Sequence, residues 1–175
     1  MATVSRIHAS PLPDDALLGS YARDGAFTDC YHTDIDAGVG LADYVEAFYS
    51  GRLFGLERLL IRLFLSRPST RADIRRLGRG EIDGFAAWRV EARTPDQLLL
   101  CDIAQRTRSW LMVQAAPGGN LGTRLYFGSA VVPASRDSSG KPRMSWLFNA
   151  LLGFHRLYSR LLLGAARRRL LRRDA

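Results

Sequence analysis

The chain has 175 residues, of which 47% are hydrophobic and 24% are charged, and its formal net charge is +8. This composition is typical of a globular domain that is large enough to bury its own core. It excludes two classes of protein: two cysteines are too few for a disulfide-stapled scaffold, and the longest uncharged, mostly apolar run, Met144 to His155, is shorter than the about 20 residues of a membrane span.

The N-terminal region predicts an arm followed by one domain. Residues 1–20 contain two prolines and an acidic pair and are predicted to form a surface arm, whereas residues 21–175 are predicted to form a single domain. Met1 to Asp15 lacks the apolar stretch of a signal peptide, so the expected location is the cytoplasm. A first strand is predicted over Phe27–Asp36, and Gly38 breaks it.

Helical spacing follows the first strand. Apolar residues recur on one face of residues 41–49 and again of residues 53–65, so two helices are predicted there. Pro68 ends the second helix because proline lacks the backbone donor. Ser69–Thr70 is expected to cap a third short helix over Arg71–Leu77.

Four further strands are predicted as an antiparallel meander, which brings the predicted total to five. They are Phe85–Arg93, Leu98–Ala104, Arg108–Ala115 and Thr123–Val132. Each either alternates apolar and polar residues or is rich in β-branched and aromatic residues, and short turns separate them.

The last predicted helix runs from about Ser145 to about Arg172, with an apolar stripe at helical spacing. At the usual rise per residue it is roughly 40 Å long, which is enough to cross a small sheet. This helix carries the excess charge of the chain. Met1–Gly140 contains 16 arginines and 16 acidic residues, whereas Lys141–Ala175 contains nine basic residues and one acid.

These elements predict an α+β fold, in which a curved antiparallel sheet is crossed by the long C-terminal helix and two to three short helices follow the first strand. Such an arrangement can enclose a cavity between the sheet and the helix. The side chains expected to line it are Trp88, Trp110, Tyr126, Phe154 and Tyr158, with Arg89, Asp102 and His155 as polar contacts. The sequence does not separate a lined hollow from a filled core, because large aromatic residues serve both.

Asp102 is a candidate polar anchor because it lies in the most apolar predicted strand. A carboxylate that faces inward there needs a charged or hydrogen-bonding partner, and Arg89 and Arg108 on neighbouring strands are its candidates. His155 follows Phe154 on the last helix and is a candidate for handling protons if it faces the cavity.

No cofactor or metal site is predicted. Gly38 and Gly40 begin a dinucleotide fingerprint, but Asp43 stands where the third glycine belongs. The three histidines have no ligand spacing with one another or with a cysteine.

Four stretches carry a resemblance to a known family: LADYVEAFYSGRLFGLERLLIRLF, FAAWRVEARTPDQLLLCDIAQRTRSWLMV, TRLYFGSAVVP and LLGFHRLYSRLLLGAARRRL. Across roughly residues 25 to 171 the chain resembles an uncharacterised bacterial domain-of-unknown-function family with a START-like (SRPBCC, helix-grip) fold. Similar domains are sometimes fused to an NAD-binding epimerase-like domain. The START-like superfamily includes lipid carriers, plant allergens and polyketide cyclases, so the resemblance implies a hydrophobic ligand and assigns no catalytic residue.

The lead hypothesis is therefore a protein that binds a small hydrophobic ligand, such as a lipid, a polyketide-like molecule or an aromatic compound, between the sheet and the C-terminal helix. A cyclase, dehydratase or isomerase that uses Asp102 or His155 as acid or base is one alternative. An interaction module, either a homodimer or a membrane-surface protein acting through the basic helix, is another. Nucleic acid is not an expected partner, because no aromatic residue interleaves with the terminal arginines. The arginines expected to contact an anionic membrane are Arg167, Arg168, Arg169, Arg172 and Arg173.

Overall fold

The computed structural model of the chain describes residues 6–50, 70–118, 121–132 and 146–172, and the side chains of residues 146–155 lie outside the description. Within these ranges the fold is α+β, with an open, curved antiparallel sheet and a long C-terminal helix, as predicted. The helix predicted at residues 53–65 lies outside the described residues.

Seven strands are described, and they form one antiparallel sheet. Their bounds are β1 His8–Ala9, β2 Phe27–Ile35, β3 Gly84–Phe85, β4 Trp88–Arg93, β5 Gln97–Asp102, β6 Thr107–Ala115 and β7 Thr123–Val131. The order across the sheet is β1-β2-β7-β6-β5-β4-β3. Strands β3 to β7 therefore form a meander, and β2 joins it by pairing with β7 along its whole length.

The described sheet has two more strands than the five that the sequence predicts. One of them is β1, a two-residue strand at the edge of the sheet in which His8 pairs with His32 of β2. The segment predicted as one strand, Phe85–Arg93, is divided into β3 and β4 by a tight turn in which Ala86 has a φ of 51°. Pairings of two residues leave almost no periodic signal in a sequence, so both strands were missed.

Four helices are described: α1 Gly19–Arg23, α2 Leu41–Tyr49, α3 Arg71–Arg79 and α4 Trp146–Leu171. The bounds of α2 agree with the prediction, and α4 begins and ends within about one residue of it. α3 begins where expected, at Arg71 with Thr70 as its N-cap, and it ends two residues beyond the predicted Leu77. The Thr70 hydroxyl accepts a hydrogen bond from the Asp73 amide at 3.2 Å, and the Asp73 carboxylate accepts one from the Thr70 amide at 2.8 Å. This capping box satisfies backbone donors at the start of the helix.

Successive side chains along each strand point to opposite faces of the sheet, and both faces are covered by other parts of the chain. α2 and α4 pack on one of them, here called the helix-covered face. Its core includes Tyr44, Phe48, Leu111, Phe127 and Leu163. Residues of the N-terminal arm pack on the opposite, arm-covered face, whose core includes Leu18, Cys30, Leu99, Trp110 and Met112.

The N-terminal arm is thus part of the core and not only a surface extension. Leu18 is fully buried, and the buried amide of Gln97 holds the chain just before it, at Asp15 and Leu17. Gln97 Oε1 accepts hydrogen bonds from the Leu17 amide and from Trp110 Nε1, both at 2.9 Å. Gln97 Nε2 donates to the Asp15 carbonyl at 3.1 Å. An amide with three hydrogen bonds fixes the arm in one position on the sheet.

Candidate functional site

A row of polar side chains crosses the helix-covered face. Asp29 on β2 lies directly opposite Ser129 on β7, and Ser129 lies opposite Ser109 on β6. Paired residues in an antiparallel sheet project to the same side, so the three side chains are neighbours. Ser109 and Ser129 are buried, at 7% and 4% exposure, in a face that is otherwise mostly apolar.

Both covering helices contribute a hydroxyl to this polar row. The Tyr49 hydroxyl at the end of α2 lies 2.8 Å from the Ser109 hydroxyl. Asp29 Oδ1 accepts hydrogen bonds from the Ser129 hydroxyl at 2.6 Å and the Ser129 amide at 3.0 Å, and Asp29 Oδ2 accepts a longer one from the Ser159 hydroxyl of α4 at 3.5 Å. Each polar side chain of the row therefore has a partner, and the row connects the sheet to both helices.

A pocket of about 470 Å³ opens at the edge of the sheet, where α4 passes β2, and it is called the edge pocket below. Its walls are Ala9, Ser10, Pro11 and Leu12 of the arm, Ala22 of α1, residues 28–31 of β2, and Arg156 and Arg160 of α4. The volume falls within the range of small-molecule sites, and most of the wall is apolar. Asp29 belongs both to this wall and to the polar row.

Two guanidinium groups give the edge pocket its charge. Arg156 and Arg160 are one helical turn apart on α4, and neither has an ion-pair partner among the described residues. The Arg160 guanidinium lies 5.4 Å from the centre of the Tyr31 ring, a cation–π contact. The Asp29 carboxylate in the same wall accepts hydrogen bonds from the Ser129 hydroxyl and amide, and the two guanidinium groups outnumber it, so the wall has an excess positive charge that an added anion can pair with.

The two other reactive groups in the pocket wall are held in their neutral forms. Burial raises the pKa of the Cys30 thiol to about 11, so the thiolate that nucleophilic chemistry requires is scarce at neutral pH. Burial also raises the pKa of Tyr31, and the Asp29 carboxylate acts in the same direction. The site is therefore suited to binding rather than to chemistry through Cys30.

The structure does not bring the eight residues predicted to bind a ligand to one place. Trp110 and Tyr126 lie in the core of the arm-covered face, whereas Tyr158 packs against the core of the opposite face. A sheet separates them, so they do not line a common cavity. The side chains of Phe154 and His155 lie outside the described residues, although the backbone of both is in α4.

Asp102 and Arg89 do not pair with each other, contrary to what the sequence suggests. Asp102 Oδ1 accepts hydrogen bonds from the backbone amides of Arg106 and Thr107, at 2.7 Å and 3.2 Å, so this carboxylate closes the turn between β5 and β6. Arg89 is exposed. The other candidate partner of Asp102, Arg108, pairs instead with Glu91 at 3.0 Å.

Trp88 lies on the helix-covered face, to which its pairing partner Asp102 also projects. It is half-buried at the margin of that core, and its buried Nε1 has no hydrogen-bond partner among the described residues. It lies on β4, near the far end of the sheet from the β2 edge that forms the edge pocket.

Sequence reasoning missed the residues that the structure does bring together. Asp29 and the serines at 109, 129 and 159 are common residue types with no motif around them, and only their register and the docking of α4 make them neighbours. A weak signal existed: Ser129 lies between Phe127 and Val131 on its face of the strand, and Leu111 follows Ser109 on the same face, where an inward polar residue is unusual.

A second pocket, of about 500 Å³, lies beside the β6–β7 turn, and none of the described residues that line it is charged. No group of three or more His, Cys, Asp or Glu side chains in the described ranges has the geometry to hold a metal ion.

Two histidines that are distant in sequence meet on the arm-covered side of β2. The rings of His8 and His32 stack with their centres 5.5 Å apart, and the Tyr126 ring lies 5.7 Å from that of His32. Two residues after His32 on β2, Asp34 forms a bidentate ion pair with Arg124 on β7, with N–O distances of 2.7 Å and 2.9 Å. Burial, Arg124 and His8 lower the pKa of His32, and the hydrogen bonds from Arg124 lower the pKa of Asp34.

These two shifts predict a stability that falls on acidification in two steps. A group whose pKa is lower in the folded state binds fewer protons there than in the unfolded chain, so adding protons favours unfolding. For His32 the loss begins as the pH drops through its ordinary pKa of 6.5, and for Asp34 as the pH drops below 3.8. Urea denaturation at a series of pH values measures both steps. His32→Gln should remove the upper step, and Asp34→Asn should reduce the lower one. Asp34 raises the pKa of His32 and His32 lowers the pKa of Asp34, so each substitution also shifts the other step. An unchanged profile in either variant contradicts the assignment.

The comparisons with known proteins identify no relative. No protein-family model matches the chain, and a search of curated proteins and of solved structures gives no significant match. The geometry of the described residues is therefore the basis of the functional argument.

Proposed function

We propose that the chain is a START-like, helix-grip protein that binds a small hydrophobic ligand with an acidic group in the edge pocket between β2 and α4. The edge pocket is the observation that carries this proposal. The ligand lies with its apolar body against the arm and β2, and its acidic group pairs with the two arginines of α4.

The arrangement of elements supports the fold assignment. The first long strand, β2, pairs with the last, β7, the strands between them in sequence form a meander, and α4 follows the last strand and packs against β2 and β7. A helix in that position covers one end of the sheet and leaves room beside it for a ligand.

Charge and burial support the nature of the ligand. Apolar walls favour an apolar molecule through surface burial, at about 25 cal/mol per Å². Arg156 and Arg160 lack carboxylate partners among the described residues, and guanidinium groups pair well with carboxylates and phosphates. A ligand that satisfies both features is an amphipathic anion, such as a fatty acid or a carboxylated polyketide.

The test uses a fatty acid and the alcohol of the same chain length as probes. In isothermal titration calorimetry the acid should bind more tightly than the alcohol. Arg156→Gln and Arg160→Gln should each weaken binding of the acid about tenfold, as expected for loss of a charge-assisted hydrogen bond. Neither substitution should change binding of the alcohol, because the alcohol has no charge to pair.

Arg89→Gln is the matched control, because Arg89 is an exposed arginine that does not line the edge pocket, and it should bind the acid as the parent protein does. Native mass spectrometry of protein purified from its host should also detect a bound acidic lipid-like molecule. Two results would disprove the proposal. One is that neither probe binds, and the other is that the variant with both Arg156→Gln and Arg160→Gln binds the acid as tightly as the parent does.

A further inference from the structure

Helix α4 leaves leucines exposed on the side that faces away from the sheet. Leu157, Leu161 and Leu171 are 57%, 44% and 38% exposed, and they are three of the five large hydrophobic side chains exposed in the described ranges. Arg168 and Arg172 are exposed among them. These five residues are called the arginine–leucine face.

Helical geometry places the five residues together. At 3.6 residues per turn, positions 157, 161, 168, 171 and 172 fall within a roughly 100° arc of the helix surface. The opposite side of α4 is apolar and buried, with Leu162, Leu163 and Ala166 in the core of the helix-covered face. α4 therefore has one side that holds it to the protein and another that is largely exposed and mixes arginine with leucine, with half-buried Gly164 beneath the Ile7 side chain among them.

The charge on the outward side is not neutralised by the helix itself. The sequence from Trp146 to Arg173 contains seven arginines and no acidic residue. Of the five arginines expected to meet a membrane, Arg167 donates a hydrogen bond to the Asp34 carbonyl at 3.3 Å, Arg169 is half-buried, and Arg173 lies outside the described residues. Arg168 and Arg172 remain, and neither has an ion-pair partner in the part of the chain that the structure describes.

We propose that the arginine–leucine face docks on the surface of an anionic lipid bilayer, with α4 lying parallel to the membrane. Leucines enter the boundary between headgroups and acyl chains while the arginines pair with lipid phosphates, which is how basic amphipathic helices bind membranes. No helix in the described ranges is long and apolar enough to cross a bilayer, so the contact is one of surface docking.

Two other occupants fit this face less well. Nucleic acid would use the arginines but not the leucines between them, and the face offers no aromatic ring for a base to stack on. A second copy of the chain, related by a twofold axis, would place the same patch against itself and bring arginines close to arginines. An anionic bilayer satisfies both the charges and the apolar side chains.

Vesicle flotation tests the proposal with the full chain. The protein should float with vesicles of phosphatidylcholine mixed with phosphatidylglycerol, remain unbound with phosphatidylcholine alone, and be released by high salt. Arg168→Gln with Arg172→Gln should weaken partitioning roughly 30-fold, as expected from the attraction of each basic residue to an anionic surface. Leu157→Gln with Leu161→Gln should weaken it about tenfold through lost apolar burial.

Matched controls separate the face from general effects of charge and hydrophobicity. Arg89→Gln with Arg106→Gln removes two exposed arginines elsewhere, and Ile103→Gln with Leu121→Gln removes the other two exposed apolar side chains. Both pairs should float as the parent does. All four variants change exposed residues, so thermal unfolding should show that each remains folded.

Several results overturn the proposal: no flotation, equal flotation with neutral and anionic vesicles, or variants of the face that behave like their controls. Dimerisation that is lost in the leucine variant, without flotation, would assign the face to a second copy. Binding to DNA that the leucine changes leave intact, again without flotation, would assign it to nucleic acid. None of the substituted residues lines the edge pocket, so failure here leaves the fatty-acid titration unaffected.

Discussion

Gly128→Ala is expected to lower the free energy of unfolding by about 3 kcal/mol, because the arm-covered face leaves no room for a Cβ at this glycine. A Cβ at position 128 would lie 2.8 Å from the backbone carbonyl oxygen of Asp29, 2.9 Å from Trp110 Cε3 and 3.0 Å from Leu18 Cδ2. The Asp29 backbone belongs to the neighbouring strand, and the Trp110 ring is held by its hydrogen bond to Gln97, so neither moves away easily.

Gly84→Ala is the matched control for this prediction. Gly84 is also in a strand of the sheet, but a Cβ there would meet only the Trp88 carbonyl oxygen, at an ordinary 3.8 Å. The control should be neutral or slightly stabilising, because alanine has less freedom than glycine in the unfolded chain. Chemical denaturation measures both variants. Equal stability of Gly128→Ala and the parent would show that the arm is packed less tightly on β7 than the structure indicates.

Asp29→Ala is expected to cost about 2–3 kcal/mol, because it removes the acceptor at one end of the polar row. The Ser129 hydroxyl and amide lose hydrogen bonds of 2.6 Å and 3.0 Å in a buried site, and Ser159 loses its contact with the sheet. Asp29→Asn keeps a carbonyl acceptor of the same shape and should retain most of the stability. Asp36→Ala, which removes an exposed carboxylate just beyond the end of the same strand, should have little effect.

A double-mutant cycle shows whether the polar row couples α4 to the sheet. If Asp29 and Ser159 interact as the structure indicates, the stability losses of Asp29→Ala and Ser159→Ala should sum to more than the loss of the double variant. Additive losses would mean that the 3.5 Å contact contributes nothing, and that α4 is held on the sheet by its apolar contacts alone.

The pocket and the arginine–leucine face use different residues of one helix. Arg156 and Arg160 line the edge pocket, and the docking residues lie around the helix axis from them, with Arg168, Leu171 and Arg172 also further toward the C-terminus. The titration of Arg156 and Arg160 variants and the flotation of Arg168 and Arg172 variants are therefore independent measurements. If both succeed, a membrane-bound protein would hold its pocket beside the source of an amphipathic ligand.

Local patterns in the sequence determined the elements that depend on near neighbours. Apolar spacing placed α2 at residues 41–49, and Thr70 predicted the start of α3, because amphipathic periodicity and helix capping act within a few residues. Alternation and turn residues likewise placed four of the strands near their observed positions, and the order of elements predicted the α+β class.

Only the tertiary structure decided which side chains meet. It paired two-residue β1 with β2, buried the arm behind Trp110, and set Asp29, Ser129 and Ser109 side by side. The residues predicted to bind a ligand do not line one cavity, because Trp110 and Tyr126 face the arm. Periodicity shows that a strand has two different sides, but it does not show whether the arm or the helices will cover each side. Register and layer assignment depend on contacts between residues far apart in the chain, and no local pattern encodes them.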